Sequence, residues 1–130
     1  MDKVITLLRF IFHISVFFLI VISLYPGSLI GYFLYGDMAR QPNLLNTPLG
    51  TSINHFIYYF YISLLGFCVY IKSKNFEKLV YVLFFLSITL EILQLIVPNR
   101  AFQLLDLITN FLGVLVAFFL IKIYLLFSKP

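Results

Sequence analysis

Residues 79–127 read LVYVLFFLSITLEILQLIVPNRAFQLLDLITNFLGVLVAFFLIKIYLLF: two long apolar runs separated by Pro98, Asn99, Arg100 and Ala101. A helix rises 1.5 Å per residue, so residues 79–97 and 102–127 each reach across a hydrocarbon core of roughly 30 Å. The hydrophobicity is continuous rather than alternating, which excludes the strands of an outer-membrane barrel. Two more runs of this kind lie upstream, at about residues 4–25 and 53–71. The fold class expected is therefore all-α, an integral membrane bundle of four transmembrane helices in one domain spanning residues 1–130.

Composition agrees: 62% of the residues are hydrophobic and 11% charged, a balance that a soluble domain does not show. The first run exceeds a signal-peptide core, and no small-x-small cleavage site follows it, so it is expected to remain as a helix. The net charge of +4 does not point to nucleic acid, because the basic residues form no stripe. They mark topology instead. Lys3 and Arg9 lie at the N-terminus, Lys72, Lys74 and Lys78 separate the second run from the third, and Lys122 and Lys129 lie near the C-terminus. The other two connections hold only Arg40, offset by Asp37, and Arg100. The positive-inside rule then places the N-terminus and the C-terminus in the cytoplasm and the 26–51 loop outside. Cys68 is the single cysteine, which excludes an intrachain disulfide and a thiol-based metal cluster.

The loop at about residues 26–51 is long and broken by Pro26, Gly27, Gly31, Gly36, Pro42, Pro48 and Gly50. Its apolar stretch from Leu29 to Tyr35 is expected to lie on the membrane surface or re-enter it.

Set into this apolar background is a polar window. Ser87, Glu91 and Gln94 follow helical spacing at the end of the third span and share a face. Gln103, Asp106, Asn110 and Gly113 share a face on the fourth. The second span starts at the same level with Thr51, Asn54, His55, Tyr58 and Tyr59. A charged side chain near the bilayer centre costs about 2.5–3.5 kcal/mol on insertion scales, so these groups should face one another or water. The candidate site is accordingly an outward-facing polar cluster of His55, Tyr58, Tyr59, Glu91, Gln94, Arg100, Asp106 and Asn110, with Gly113 allowing close helix packing beneath it.

The order His55 with Tyr58 or Tyr59, E-x-x-Q at 91–94, P-x-R at 98–100 and D-x-x-x-N-x-x-G at 106–113 resembles the VanZ-like family. The resemblance covers the last three spans. It implies a small bacterial membrane protein of the cytoplasmic membrane, and an association with glycopeptide, specifically teicoplanin, resistance. Family members often carry an Asp-Lys pair shortly before the histidine, where this chain has Thr51 and Ser52.

Several functions are compatible with the cluster. As a clamp, Glu91 or Asp106 pairs with Arg100 while Gln94 and Asn110 bridge helices, each bond contributing about 0.6 kcal/mol. As a binding site, Arg100 and tyrosine walls hold the anionic headgroup of an envelope lipid or lipid-linked precursor. As an enzyme, His55 with Glu91 or Asp106 supplies acid and base. No nucleophile motif, phosphate-cradling glycine loop or zincin spacing is present, so no catalytic residue is assigned and neither cofactor nor metal is expected. Membrane lipids are the expected partners, with an oligomer or a membrane-protein partner as further candidates, and transport through four helices would require an oligomer.

Overall fold

The computed structural model describes residues 2–128, so Lys129 lies outside the described residues. Regular structure among them is entirely helical: α1 (Asp2–Leu24), α2 (Leu29–Tyr35), α3 (Ser52–Tyr70), α4 (Phe76–Leu93) and α5 (Leu104–Phe127). Four of these, all but α2, are long and apolar enough to cross a membrane. Their exteriors carry large exposed apolar side chains, including Phe10, Phe17, Phe85, Phe119 and Leu126. Apolar surface of that extent marks a membrane or protein contact, and on helices long and apolar enough to span a bilayer it fits lipid.

α4 begins three residues before the apolar run, because Glu77 in its first turn favours the helix N-terminus and the charged residues there mark a membrane edge. Its far end tightens into a 3-10 turn, Gln94–Ile96. Val97 is extended, and Asn99 adopts a left-handed φ of 58°, which reverses the chain into α5.

The most extensive pairing is α3 against α5. Gly113 allows it, since a Cβ there would stand 2.7 Å from the Phe56 carbonyl oxygen and 2.9 Å from the Phe60 nitrogen. The two backbones are in contact at this level. α4 packs against both, and α1 lies outermost, seating Phe12 against Gly66 of α3.

The interior is divided along its length. One half is apolar, built from Phe12, Ile62, Phe67, Leu83, Val114, Ala117 and Ile121. The other half, at the end shared by the α3 and α5 N-termini, buries Ser52, Asn54, Ser87, Glu91, Gln94, Asp106, Thr109 and Asn110.

The long connection is ordered by α2. Ser28 caps it, its Oγ accepting from the Gly31 nitrogen at 2.9 Å, and Gly36 closes it in the left-handed conformation. Asn54 then fastens the rest of the loop to α3: its Nδ2 donates to Pro42 O (2.6 Å) and its Oδ1 accepts from Leu44 N (3.0 Å). Tyr32, Phe33, Leu34 and Tyr35 are exposed, Phe33 by 81%.

Candidate functional site

α3, α4 and α5 each deliver one ionisable side chain to a common point. His55 stands one turn into α3, Glu91 in the last turn of α4, and Asp106 in the first turn of α5. One ligand-capable atom from each lies within 4.8 Å of the others. Glu91 is only 1% exposed and Asp106 3%.

Hydrogen bonds fix every member. Asp106 accepts from the Ser52 hydroxyl at Oδ1 and faces His55 Nε2 at 3.4 Å through Oδ2. Glu91 Oε1 accepts from the Gln103 backbone nitrogen at 3.1 Å, satisfying a free N–H at the start of α5 that no capping side chain serves. Asn110 Nδ2 donates to Glu91 Oε2 at 3.4 Å, which leaves its Oδ1 turned to His55 Nδ1 at 3.1 Å. A carboxamide oriented by a carboxylate in this way makes Nδ1 the protonated nitrogen and directs Nε2 at Asp106. The N-terminal ends of α3 and α5 add partial positive charge near Asp106.

Arg100 is placed differently from the sequence expectation. Among the described residues it makes no ion pair within 4 Å, and the only such pair is His55 with Asp106. Its Nη2 instead donates to Ile22 O at 2.6 Å and its Nε to Tyr25 O at 3.1 Å. The expected pairing of Arg100 with Glu91 or Asp106 gives way because the last carbonyls of α1 have no basic residue of their own to meet. Burial pulls the guanidinium below its ordinary value, and the charges of Glu91 and Asp106 oppose that shift. It stays cationic, as arginine does in proteins.

Beside the cluster lies a cavity of about 70 Å³ whose polar wall includes Asn54, His55, Tyr58, Gln94 and Arg100. Gln94 is 4% exposed and borders this cavity, and among the described residues its carboxamide makes no hydrogen bond. Tyr59 is buried more deeply, with its hydroxyl 3.4 Å from Leu86 O. Leu19, Ile22 and Tyr58 are shared with a second, apolar groove of about 220 Å³ between α1 and α3, bordered also by Ser15, Phe18 and Ile62.

The structure thus brings His55, Glu91, Asp106 and Asn110 together, sets Gln94, Tyr58 and Arg100 on the cavity, and uses Tyr59 at the boundary with the apolar half. Sequence reasoning missed Ser52, although its position one turn before His55 places both on one face of α3. The sequence shows no zincin spacing, and the fold instead collects three potential ligands, His55, Glu91 and Asp106, from three helices.

A four-span helical bundle with ionisable side chains buried toward one end defines a multi-pass membrane protein with a polar intramembrane centre. The family model described as VanZ/LLP1 matches residues 5–126, and the chain belongs to that family. No curated protein and no solved structure matches it.

Proposed function

We propose that the protein sits in the bacterial cytoplasmic membrane with both termini inside and binds, from the outer leaflet, an envelope lipid with an anionic headgroup. The observation that carries this is the junction of two spaces: a polar cavity bordered by His55, Gln94 and Arg100, and an apolar groove that meets it at Leu19, Ile22 and Tyr58. An amphiphile needs such a junction. Its headgroup would meet the remaining N–H donors of Arg100, which spends two of five on α1, and the carboxamide of Gln94. Its chain would lie in the groove between α1 and α3. Occupancy of lipid-linked cell-wall precursors at this site would alter the surface that glycopeptides reach, which connects the protein to teicoplanin susceptibility.

A second reading makes the same site catalytic, with His55, aligned on Asp106, exchanging a proton with the bound headgroup. Mass spectrometry of lipids copurified with the wild type, Gln94→Leu and Ser15→Phe tests both readings. Binding predicts an anionic lipid on the wild type that is depleted in both variants, one by loss of a headgroup donor and the other by filling the groove. Chemical conversion of that lipid by wild type, lost in His55→Ala, would establish the catalytic reading. A lipid profile unchanged across folded variants would defeat the pocket.

A further inference from the structure

The His55, Glu91 and Asp106 cluster buries two acidic side chains that no lysine or arginine meets within 4 Å among the described residues. With His55 neutral, two carboxylates lie buried together, and the nearest arginine is turned to backbone carbonyls of α1. Glu91 occupies the last turn of α4, the negative end of that helix dipole and the least favourable place for a carboxylate. Buried charges in this setting are paired or coordinate a metal.

We propose that His55 Nε2, Asp106 and Glu91 hold a divalent transition-metal ion of the Zn²⁺ or Mn²⁺ class. Three independent features support it. The 3.4 Å between His55 Nε2 and Asp106 Oδ2 is long for a charge-assisted hydrogen bond. It equals the edge of a tetrahedron whose ligands stand roughly 2.1 Å from the ion, giving about 3.4 Å between ligands.

Each ligand also has the outer hydrogen bond that metal sites require. His55 Nδ1 is held by Asn110, Asp106 by Ser52, and Glu91 by Gln103 N and Asn110. These bonds leave His55 Nε2 and further carboxylate lone pairs free to coordinate. Finally, Gln94 borders the cavity that His55 also lines, and among the described residues its carboxamide makes no hydrogen bond. It is placed to orient an ion-bound water or a ligand oxygen. One imidazole with two carboxylates suits a borderline or hard divalent ion rather than a thiophilic one.

The test is titration of chelator-treated, full-length protein in detergent with Co²⁺ alone, followed by displacement with Zn²⁺. The expected result is saturable visible absorption corresponding to one ion per chain, with a rise in melting temperature. His55→Ala and Asp106→Asn should lose the absorption, and Asn110→Ala should weaken binding by about 10–100-fold. His13→Ala should leave it unchanged, because His13 lies far from the cluster, against Arg9 O and Tyr70. If the carboxylate variant does not fold, His55→Gln decides the matter by altering only the partly exposed ligand. A cooperatively melting wild type without absorption or stabilisation would overturn the proposal, as would absorption that survives His55→Ala or disappears with His13→Ala. No lipid enters this titration, so its failure is separable from failure of the headgroup reading.

Discussion

The Arg100 guanidinium donates to the carbonyl oxygen of Ile22 at 2.6 Å, joining residues 78 positions apart. It thereby docks the C-terminal end of α1, the outermost span, onto the loop between α4 and α5. One cation both closes a helix terminus and forms part of the cavity wall, so the cavity exists only while α1 is docked.

Arg100→Ala should therefore loosen α1 before it affects anything else. Hydrogen bonds from charged groups contribute about 1.5–3 kcal/mol each, so the loss is of order 2 kcal/mol or more. Arg100→Lys should recover only part of this, because an ammonium lacks the planar fork that meets both Tyr25 O and Ile22 O. Thermal unfolding in detergent should rank wild type above Arg100→Lys and Arg100→Lys above Arg100→Ala. Equal melting temperatures would show that α1 is held by packing alone.

Close backbone contact at Gly113 leads to a second expectation. Gly113→Ala places a methyl group 2.7 Å from the Phe56 oxygen, and relief requires α3 and α5 to separate. Overpacking of this sort costs about 1–3 kcal/mol, and Gly113→Val should cost more. Gly31→Ala is the informative comparison, since its Cβ would overlap Arg40 O in the long loop and leave the α3 and α5 contact intact. Disulfide trapping between α3 and α5 should fall in the Gly113 variants and persist in Gly31→Ala.

The contrast between these sites shows what was legible in the sequence. Four spans follow from hydropathy because a lipid-facing helix needs an apolar surface and little else. The three-four spacing of Glu91 with Gln94, and of Asp106 with Asn110 and Gly113, put each set on one face before any contact was known. The partner of Arg100 was not legible, because Ile22 and Tyr25 present only backbone carbonyls, which leave no side-chain signature. Ser52 was overlooked for a related reason. A serine at a helix start reads as a local cap, whereas its hydroxyl here reaches across to α5. Nor did the loop announce α2, a short helix closed by Ser28 and Gly36 within a segment rich in helix breakers.

The orientation proposed from the Lys-rich loop can be measured directly. In a Cys68→Ser background, Ala101→Cys should react with an impermeant thiol reagent added to intact cells. Asn75→Cys should react only after the membrane is opened. Both positions are exposed. Ala101 serves better than Asn99, whose left-handed φ of 58° would strain a cysteine. The reverse labelling pattern would turn the polar cavity toward the cytoplasm and remove the outer-leaflet headgroup reading.

Ser52 offers the sharpest separation between a polar clamp and a metal centre. Its hydroxyl is the donor to Asp106 Oδ1, so Ser52→Ala leaves a buried carboxylate short of a partner, at a cost of about 1–3 kcal/mol. Ser52→Lys instead brings an ammonium to the same oxygen and supplies the cation that the two carboxylates lack. If the cluster is only a clamp, melting temperatures of wild type, Ser52→Ala and Ser52→Lys should be insensitive to chelator and to Co²⁺. If it is a metal centre, wild type should melt lower after chelation, and Ser52→Lys should melt at the same temperature with or without chelator while failing to develop Co²⁺ absorption. A lysine variant that still takes up Co²⁺ would mean that its ammonium has not displaced the ion, and that charge compensation at Asp106 does not govern the site.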